Sequence, residues 1–261
     1  MASFLIKERT KEKYLDKISG EPKSTQMNRC VAINNFERFV EETFDEKDAE
    51  SIIEELKILR KKEEEYLNAL YDLLQDWINW NSKQSLGTST LRAWFSYLRN
   101  YLYYRGIKTD QQDIKENLKF GKKIHVEKHP VSQEQYRSII NAIQNPRRKA
   151  LFLVLGSSGM RIGEAMQLRK KDLDLSQKRI KVNIPADVTK TRKGRSTYIS
   201  KEAEKQLQPF LDRSKDDDYV FDLGYSMRGA TRASRESACL QRALKKIHLD
   251  ERYSSSNHAK I

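Results

Sequence analysis

The sequence predicts a mainly α-helical fold with a small antiparallel β-sheet, divided into two units. Apolar residues recur at helical spacing along most of the chain. Three short alternating segments between residues 172 and 199 predict the strands of the sheet. Residues 118–130 contain several lysines and few apolar side chains, which is typical of a domain linker. The length of 261 residues also suits two domains, each with its own core.

The charge of the chain is strongly positive and unevenly distributed. Fifty Lys and Arg residues against 37 Asp and Glu give a formal net charge of +13. Residues 41–76 hold thirteen acidic and five basic residues, so the rest of the chain carries +21. This excess predicts binding to a polyanion, with nucleic acid first and an anionic membrane surface second. The chain has no apolar segment typical of a signal peptide or a membrane span, so we expect a cytoplasmic protein.

Cysteine and histidine usage argues against disulfides and metal sites. Cys30 and Cys239 are far apart and unaccompanied, which suits a reducing compartment. The histidines lack the paired spacing with cysteine or acidic residues that a zinc site needs. They are His125, His129, His248 and His258.

The first unit is predicted to be all-helical over residues 25–117. Residues 1–24 are polar and basic and predict either a short helix or a loose arm. A helix begins near Thr25, and the apolar spacing over 52–78 indicates one long helix or two helices joined near 61–65. A further helix covers 90–106 and ends at a glycine.

The helix over 90–106 combines an apolar stripe with cations and tyrosines on its other faces. Such faces suit contact with a DNA backbone, although aromatic side chains on helices also serve protein cores, and both interpretations stay open. We expect DNA contacts from this helix and from the basic linker. The predicted cations are Arg92, Arg99, Lys122 and Lys123, while Arg105 is expected only to lie outside the apolar stripe.

The second unit is predicted to cover residues 131–261 and to open with a capping box at Ser132 and Gln135. Helices over 133–144 and 147–156 lead to the stretch 156–165. There, two glycines are expected to stop the preceding helix, which places Arg161 at the start of the next one. Arg161 needs an anion close by. Glu164, one turn on, could form a purely structural ion pair with it, or Arg161 could bind a phosphate in addition to Glu164.

Two further basic segments follow in the second unit. The loop over 188–195 holds four cations, which would repel one another without an anionic partner. They are Lys190, Arg192, Lys193 and Arg195. The last predicted helix, over 233–247, carries Arg235 and Arg242 beside an apolar stripe. We expect both segments to bind DNA.

These features together resemble the tyrosine recombinases, the family of phage-type integrases. The resemblance rests on the Gly159-to-Ala165 segment followed by Leu168 and Asp172, on Thr189-Lys190-Thr191, and on the two-domain layout. It covers the chain from about residue 25 onward. It implies an all-helical, SAM-like core-binding domain followed by an α+β tyrosine-recombinase catalytic domain.

The resemblance also implies a reaction and its residues. Arg161 would clamp the scissile phosphate, Glu164 would brace Arg161, and Lys190 would be the general acid for the 5′-oxygen, with Lys193 as the alternative. A tyrosine would attack the phosphodiester of a double-stranded DNA attachment site and form a 3′-phosphotyrosyl intermediate. The family needs no cofactor or metal and assembles four protomers on DNA.

The C-terminal sequence departs from the family pattern. The family's second box, His-x-x-Arg, and the tyrosine nucleophile should follow the helix over 233–247. His258 has Ile261 where the box needs arginine, and Tyr253 precedes any such box. We therefore expect the chain to stop upstream of the box, as a partial reading frame or a split gene, and to bind DNA without cleaving it.

Two alternative functions remain at this stage. One is a non-catalytic DNA-binding protein derived from the recombinase fold. The other is a basic helical protein that binds RNA or a protein partner, in which the Arg161 and Glu164 pair is purely structural.

Overall fold

The computed structural model describes residues 8–122, 130–224 and 229–249, with side chains described except at 229–231. The chain divides into two compact units, residues 1–125 and 126–261, and the division falls within the predicted linker. No helix in the described ranges is both long and apolar enough to cross a membrane.

The first unit is helical throughout its described part. Its helices are α1 (Lys11–Lys17), α2 (Lys23–Thr43), α3 (Ala49–Leu59), α4 (Glu63–Lys83), α5 (Thr88–Tyr104) and α6 (Gln111–Asn117). The apolar spacing over 52–78 therefore belongs to two helices. The side chain of Asp48 accepts a hydrogen bond from the backbone N–H of Ser51 and starts α3. Three glutamates in the first turn of α4 favour a new helix N-terminus there.

The core of the first unit is formed mainly by α2, α4 and α5. Its large, fully buried side chains include Ile33, Phe36, Leu70, Trp77 and Leu98. The indole N–H of Trp77 donates to Asn35 Oδ1 at 2.8 Å, and Asn35 donates to the buried Asn81 at 3.0 Å. These three polar side chains are thus paired with one another, which reduces the cost of burying them.

The structure corrects both predicted boundaries of the helical domain. In α1, Tyr14 is 3% exposed, and Ile18 directly after the helix is 6% exposed, so this segment is a docked helix and not a loose arm. Leu118 and Phe120 are also buried in the same core, beyond the predicted end at residue 117. The polar composition around these few apolar residues concealed their contribution to the core.

Arg105 is a second correction. It was predicted to lie outside the apolar stripe, but it is buried, and its guanidinium forms an ion pair with Glu50 and lies 3.5 Å from Glu54. It also donates to the hydroxyl of Tyr101 at 3.0 Å. The reason is its place at the C-terminal cap of α5, where the chain turns back into the core.

The second unit combines helices with a small sheet. Its elements are α7 (Gln133–Ala142), α8 (Pro146–Ser158), α9 (Ile162–Ala165), β1 (Leu173–Asp174), β2 (Lys181–Ile184), β3 (Arg195–Tyr198), α10 (Lys201–Leu211) and α11 (Gly229–Lys246). The strands are antiparallel in the order β1-β2-β3, with Val182 opposite both Leu173 and Thr197. The predicted mainly helical class with a small antiparallel sheet is confirmed.

Helix α8 forms the centre of the second unit. All six residues over 150–155 are buried, α10 packs along α8, and α11 contacts α7 and α9. The predicted capping box is present, since the side chains of Ser132 and Gln135 each accept from the other's backbone N–H. This reciprocal pairing starts α7.

The two glycines of the 156–165 stretch have different roles. Gly156 lies inside α8, where an added Cβ would come within 2.3 Å of the hydroxyl of Tyr136. It therefore permits close packing and does not stop the helix, contrary to the prediction. Gly159 ends α8 with a left-handed backbone at φ 65°, a conformation that favours glycine.

Candidate active site

The turn after α8 positions Arg161. Gly159 ends α8, Arg161 is extended at φ −73° and ψ 144°, and the short helix α9 follows directly. Ala165 and Met166 are buried and anchor this turn in the core. The Arg161 side chain is 55% exposed, so the anchored turn presents a cation to solvent.

The carboxylate of Glu164 is the centre of this site. Its side chain is only 3% exposed. Oε1 accepts from Nη1 of Arg161 at 3.0 Å and from Nη1 of Arg195 at 3.0 Å. Oε2 accepts from the backbone N–H of Arg161 at 2.8 Å and from Nη2 of Arg195 at 2.7 Å. Each oxygen thus has two donors, which satisfies a buried charge.

These contacts determine the ionisation of Glu164. Burial by itself raises the pKa of the carboxyl. The hydrogen bonds from Arg195 and from the backbone and side chain of Arg161 more than offset this effect, so the pKa lies below its ordinary value. The hydrogen bond to Glu164 also raises the pKa of Arg195. Glu164 is therefore an anion at neutral pH.

The connection between β2 and β3 carries the candidate general acids. A 3-10 turn at Ala186–Val188 is followed by Thr189, which is 5% exposed. The Thr189 hydroxyl accepts from the backbone N–H of Lys193 at 3.0 Å and lies 2.9 Å from the Ala186 carbonyl. Lys190 and Lys193 are both exposed on this organised loop.

The loop is joined to the Arg161 turn at two places. Arg195, the first residue of β3, contacts Glu164 as described, and Oγ1 of Thr197 donates to the carbonyl oxygen of Ser158 at 2.9 Å. The sheet and the end of α8 therefore hold Lys190 and Arg161 in one structural unit.

The structure gives Arg195 a partner that the sequence did not predict. It was predicted to bind DNA as one of four loop cations that would repel one another without an anionic partner. Both of its Nη atoms donate to Glu164, so its anionic partner is the protein's own carboxylate. Arg195 keeps 38% of its side chain exposed, and the other three loop cations are also exposed: Lys190, Arg192 and Lys193.

The remaining predicted DNA contacts lie in both units. Arg92 is exposed and its guanidinium lies 4.7 Å from the ring centroid of Phe120, while Arg99 is partly buried. Lys122 is exposed, and Lys123 lies outside the described residues. On α11, Arg235 and Arg242 are exposed. Arg242 also lines a groove of about 410 Å³ with Arg148 and Lys246.

Two features of the second unit escaped the sequence analysis. Arg195 braces Glu164 from a distant strand, and Glu236 is fully buried with Nε of Arg148 at 3.0 Å from its Oε2. Glu236 precedes Leu240 and Ala243 on the same helical face. An acidic residue within this apolar stripe was the sequence signal for a buried, paired carboxylate. Within the described ranges, no three His, Cys, Asp or Glu residues group as metal ligands.

Comparison with known proteins gives the family. The profile of the phage integrase family matches residues 130–257. A curated tyrosine recombinase XerC-like protein from Caldanaerobacter subterraneus subsp. tengcongensis is 28% identical over 142 residues, which is 51% of this chain and 32% of the relative. The chain thus matches about a third of the length of that relative.

Solved structures share the fold at low sequence identity. A λ integrase dimer bound to a COC′ core site aligns with TM-score 0.63 and 12% identity, over 95% of this chain and 66% of the other. The Tn1549 transposon integrase in complex with a circular intermediate DNA aligns with TM-score 0.62 and 15% identity, over 95% of this chain and 81% of the other. The XerH recombinase bound to difH aligns with TM-score 0.59 and 17% identity, over 95% of this chain and 69% of the other.

The family profile spans the Arg161 turn, Glu164 and the hairpin with Lys190, which are the residues that carried the resemblance in the sequence. The second unit of this chain is therefore a domain of the phage integrase family, the tyrosine recombinases.

Proposed function

We propose that this protein acts in site-specific DNA recombination, with a first unit that binds DNA and a second unit that activates the scissile phosphate. One observation carries the proposal: a half-exposed arginine, Arg161, is held by a buried carboxylate and is structurally joined to the loop with Lys190. The family membership of the second unit supports the same chemistry.

In the proposed reaction, Arg161 binds the nonbridging oxygens of the scissile phosphate. Among the described residues, Glu164 uses Nη1 of Arg161, and the rest of the half-exposed guanidinium faces solvent. Arginine in this arrangement stabilises the charge that develops in phosphoryl transfer. Glu164 sets the orientation of the guanidinium before DNA arrives.

Lys190 donates a proton to the departing 5′-oxygen. The tyrosine loses its hydroxyl proton to solvent, and its oxygen forms a bond to phosphorus as the bond to the 5′-oxygen breaks, which leaves a 3′-phosphotyrosyl link. Lys193, exposed on the same loop, is the alternative proton donor. The steps proposed here use protein side chains alone and need no cofactor.

Double-stranded DNA is the proposed partner. The net charge of +13 and the exposed cations of both units support it. The λ, Tn1549 and XerH proteins, which share the fold, were solved bound to DNA. We assign phosphate contacts to a set of basic residues: Arg92, Arg99, Lys122, Lys123, Arg192, Lys193, Arg235 and Arg242. Four protomers would assemble on the attachment site.

The nucleophile has no assignment among the described residues. Tyr253 and His258 lie outside the described ranges, so their exclusion from the active site stays a prediction. The chain and a longer protein translated through the same reading frame therefore both belong in the experiments.

The test begins with selection of a binding duplex from a random-sequence library. We expect affinity for the selected duplex to fall steeply with salt, and the double change Arg92→Gln and Arg99→Gln to lower the salt slope by about one unit per lost phosphate contact. Lys57→Gln, in the acidic segment of the first unit, serves as the matched control and should leave the slope unchanged.

Cleavage is then measured with a nicked version of the selected duplex. A denaturation-resistant protein–DNA adduct from the longer protein supports the recombinase, and loss of the adduct in Arg161→Ala ties it to this site. Salt-dependent DNA binding without an adduct from either protein would favour the non-catalytic DNA-binding alternative. Binding that hardly depends on salt would contradict both DNA functions.

A further inference from the structure

Arg195 stands at the junction between the candidate catalytic loop and the Arg161 turn. It is the first residue of β3, directly after the loop that carries Lys190. Both of its Nη atoms donate to Glu164, one to each carboxylate oxygen. Arginine binds a carboxylate in this two-point manner with a defined orientation, which a lysine cannot reproduce.

The contact also affects Arg161. Arg161 gives Glu164 its backbone N–H and Nη1, and Arg195 supplies the other two donors. Without Arg195, a carboxylate that is 3% exposed would depend on Arg161 alone. The guanidinium of Arg161 would then be drawn more fully onto Glu164 and away from a phosphate.

Two neighbouring contacts limit the freedom of the loop. Thr189 is buried and holds the backbone N–H of Lys193, while Thr197 binds the carbonyl of Ser158. Lys190 thus lies between a fixed residue on its N-terminal side and the ion pair of Arg195 on its C-terminal side.

We infer that Arg195 is a positioning residue, which aligns the loop of Lys190 with Arg161 through its two hydrogen bonds to Glu164 and contributes little to DNA affinity, although 38% of its side chain is exposed. This inference rests on the proposed function. It predicts that loss of Arg195 impairs the proton transfer to the leaving group as well as the clamp on the phosphate, while the affinity for DNA changes little.

The experiment compares Arg195→Gln with the unaltered longer protein in single-turnover cleavage of two duplexes. One duplex has the ordinary 5′-oxygen and the other has a better leaving group at that position. We expect Arg195→Gln to slow cleavage of the ordinary duplex about 10- to 100-fold, with a smaller deficit on the second duplex, because that duplex depends less on the general acid. The affinity for DNA should change less than about threefold.

Two variants sharpen the comparison. Arg195→Lys should recover part of the rate, because it keeps the charge and loses the two-point contact. Arg179→Gln removes an exposed cation close to the same sheet and should cleave both duplexes at the unaltered rate. An equal deficit of Arg195→Gln on both duplexes, or a loss of affinity without a loss of rate, would overturn the inference.

Hydrogen exchange of the chain itself tests the arrangement without cleavage. In Arg195→Gln we expect the backbone amides of Arg161 and Lys193 to exchange at least about tenfold faster. The Arg161 amide is bonded to Glu164, which loses two of its four donors, and the Lys193 amide lies in the loop that loses its attachment to Glu164. Unchanged exchange at both amides would contradict the inference. Absence of cleavage by the unaltered longer protein would instead count against the proposed function.

Discussion

The carboxylate of Glu164 and the guanidinium of Arg195 meet through hydrogen bonds of 3.0 and 2.7 Å, although 31 residues separate them in the chain. The contact joins a four-residue helix to a strand, two elements that are each too short to be stable alone. Glu164 is buried in this cluster, while the side chains of Arg161 and Arg195 are 55% and 38% exposed.

Substitution of Glu164 should change the acid stability of the second unit. The folded carboxyl has a lowered pKa, so its stabilising contribution is present above the unfolded pKa of about 4.3 and is lost as pH falls through the folded pKa. We expect Glu164→Gln to lower the free energy of unfolding by about 1–3 kcal/mol at pH 7, with the deficit shrinking below about pH 4.

Urea denaturation between pH 7 and pH 3.5 measures this difference. Asp216→Asn, at an exposed position in the same unit, is the control and should differ from the unaltered protein by less than about 0.5 kcal/mol at pH 7. A deficit of Glu164→Gln that is the same at every pH would show that the charge of Glu164 is not the source of its stabilising effect.

Replacement of Arg161 should separate cleavage from binding. We expect Arg161→Ala to reduce the rate of cleavage by the longer protein by about 10³-fold or more, because an arginine on the transferring phosphate stabilises the transition state. DNA affinity, measured by fluorescence anisotropy, should stay within about threefold, since the other cations that we propose as phosphate contacts are retained. Normal cleavage by this variant would refute the assignment of the site.

Lys190 and Lys193 can be distinguished by the leaving group. Lys190→Ala should slow cleavage of an ordinary duplex by about 10²- to 10⁴-fold and should recover on a duplex with a better leaving group at the 5′ position. Lys193→Ala is the matched control from the same loop and should lack this selective recovery. The opposite result would assign the role of general acid to Lys193.

In the first unit, Arg105 should stabilise by packing as much as by charge. Its side chain is 2% exposed, whereas its partner Glu50 is 54% exposed and can be hydrated if the arginine is removed. We expect Arg105→Ala to cost about 2–4 kcal/mol through the cavity it leaves, and Arg105→Met to cost clearly less. Thermal and urea denaturation measure both, with the exposed Lys61→Ala as a neutral control. Equal costs for the two variants would point to the ion pair as the main contribution.

Gly156 offers a test of packing beside the site. An alanine there would meet the hydroxyl of Tyr136 at 2.3 Å, so we expect Gly156→Ala to destabilise the second unit by about 1–3 kcal/mol. Gly163→Ala is the matched control, since an added Cβ at that position has no atom within 4 Å. A smaller side chain at position 136 should relieve the cost, and persistence of the cost in the double variant would contradict the proposed clash.

Local patterns predicted much of the fold. The capping box at Ser132, the glycine at the end of α5 and the strands near residues 172–199 all depend on neighbours within a few residues, and the structure has them. The pairing of Arg161 with Glu164 is equally local, because three residues along a helix bring side chains together.

Other features depended on contacts between distant segments. Arg105 is an arginine outside the apolar stripe of its helix, which is typical of a surface residue. At the end of α5, however, its side chain is buried and paired with Glu50 of α3. Tyr14 and Phe120 looked like parts of an arm and a linker, but the helical core accommodates both. Gly156 was predicted to stop a helix, but it lies inside α8, where Tyr136 of α7 leaves no room for a Cβ atom.

The sequence by itself determined the two-unit layout, the helical and strand classes, the excess positive charge and the pattern of Arg161, Glu164 and Lys190. It could do so because periodicity, capping and motif spacing are local properties. Only the tertiary structure decided that Arg195 pairs with Glu164, because the partner of a charged side chain depends on which distant segment packs beside it. Once Glu164 is buried, its charge requires donors on both oxygens, and the fold supplies the second pair from β3.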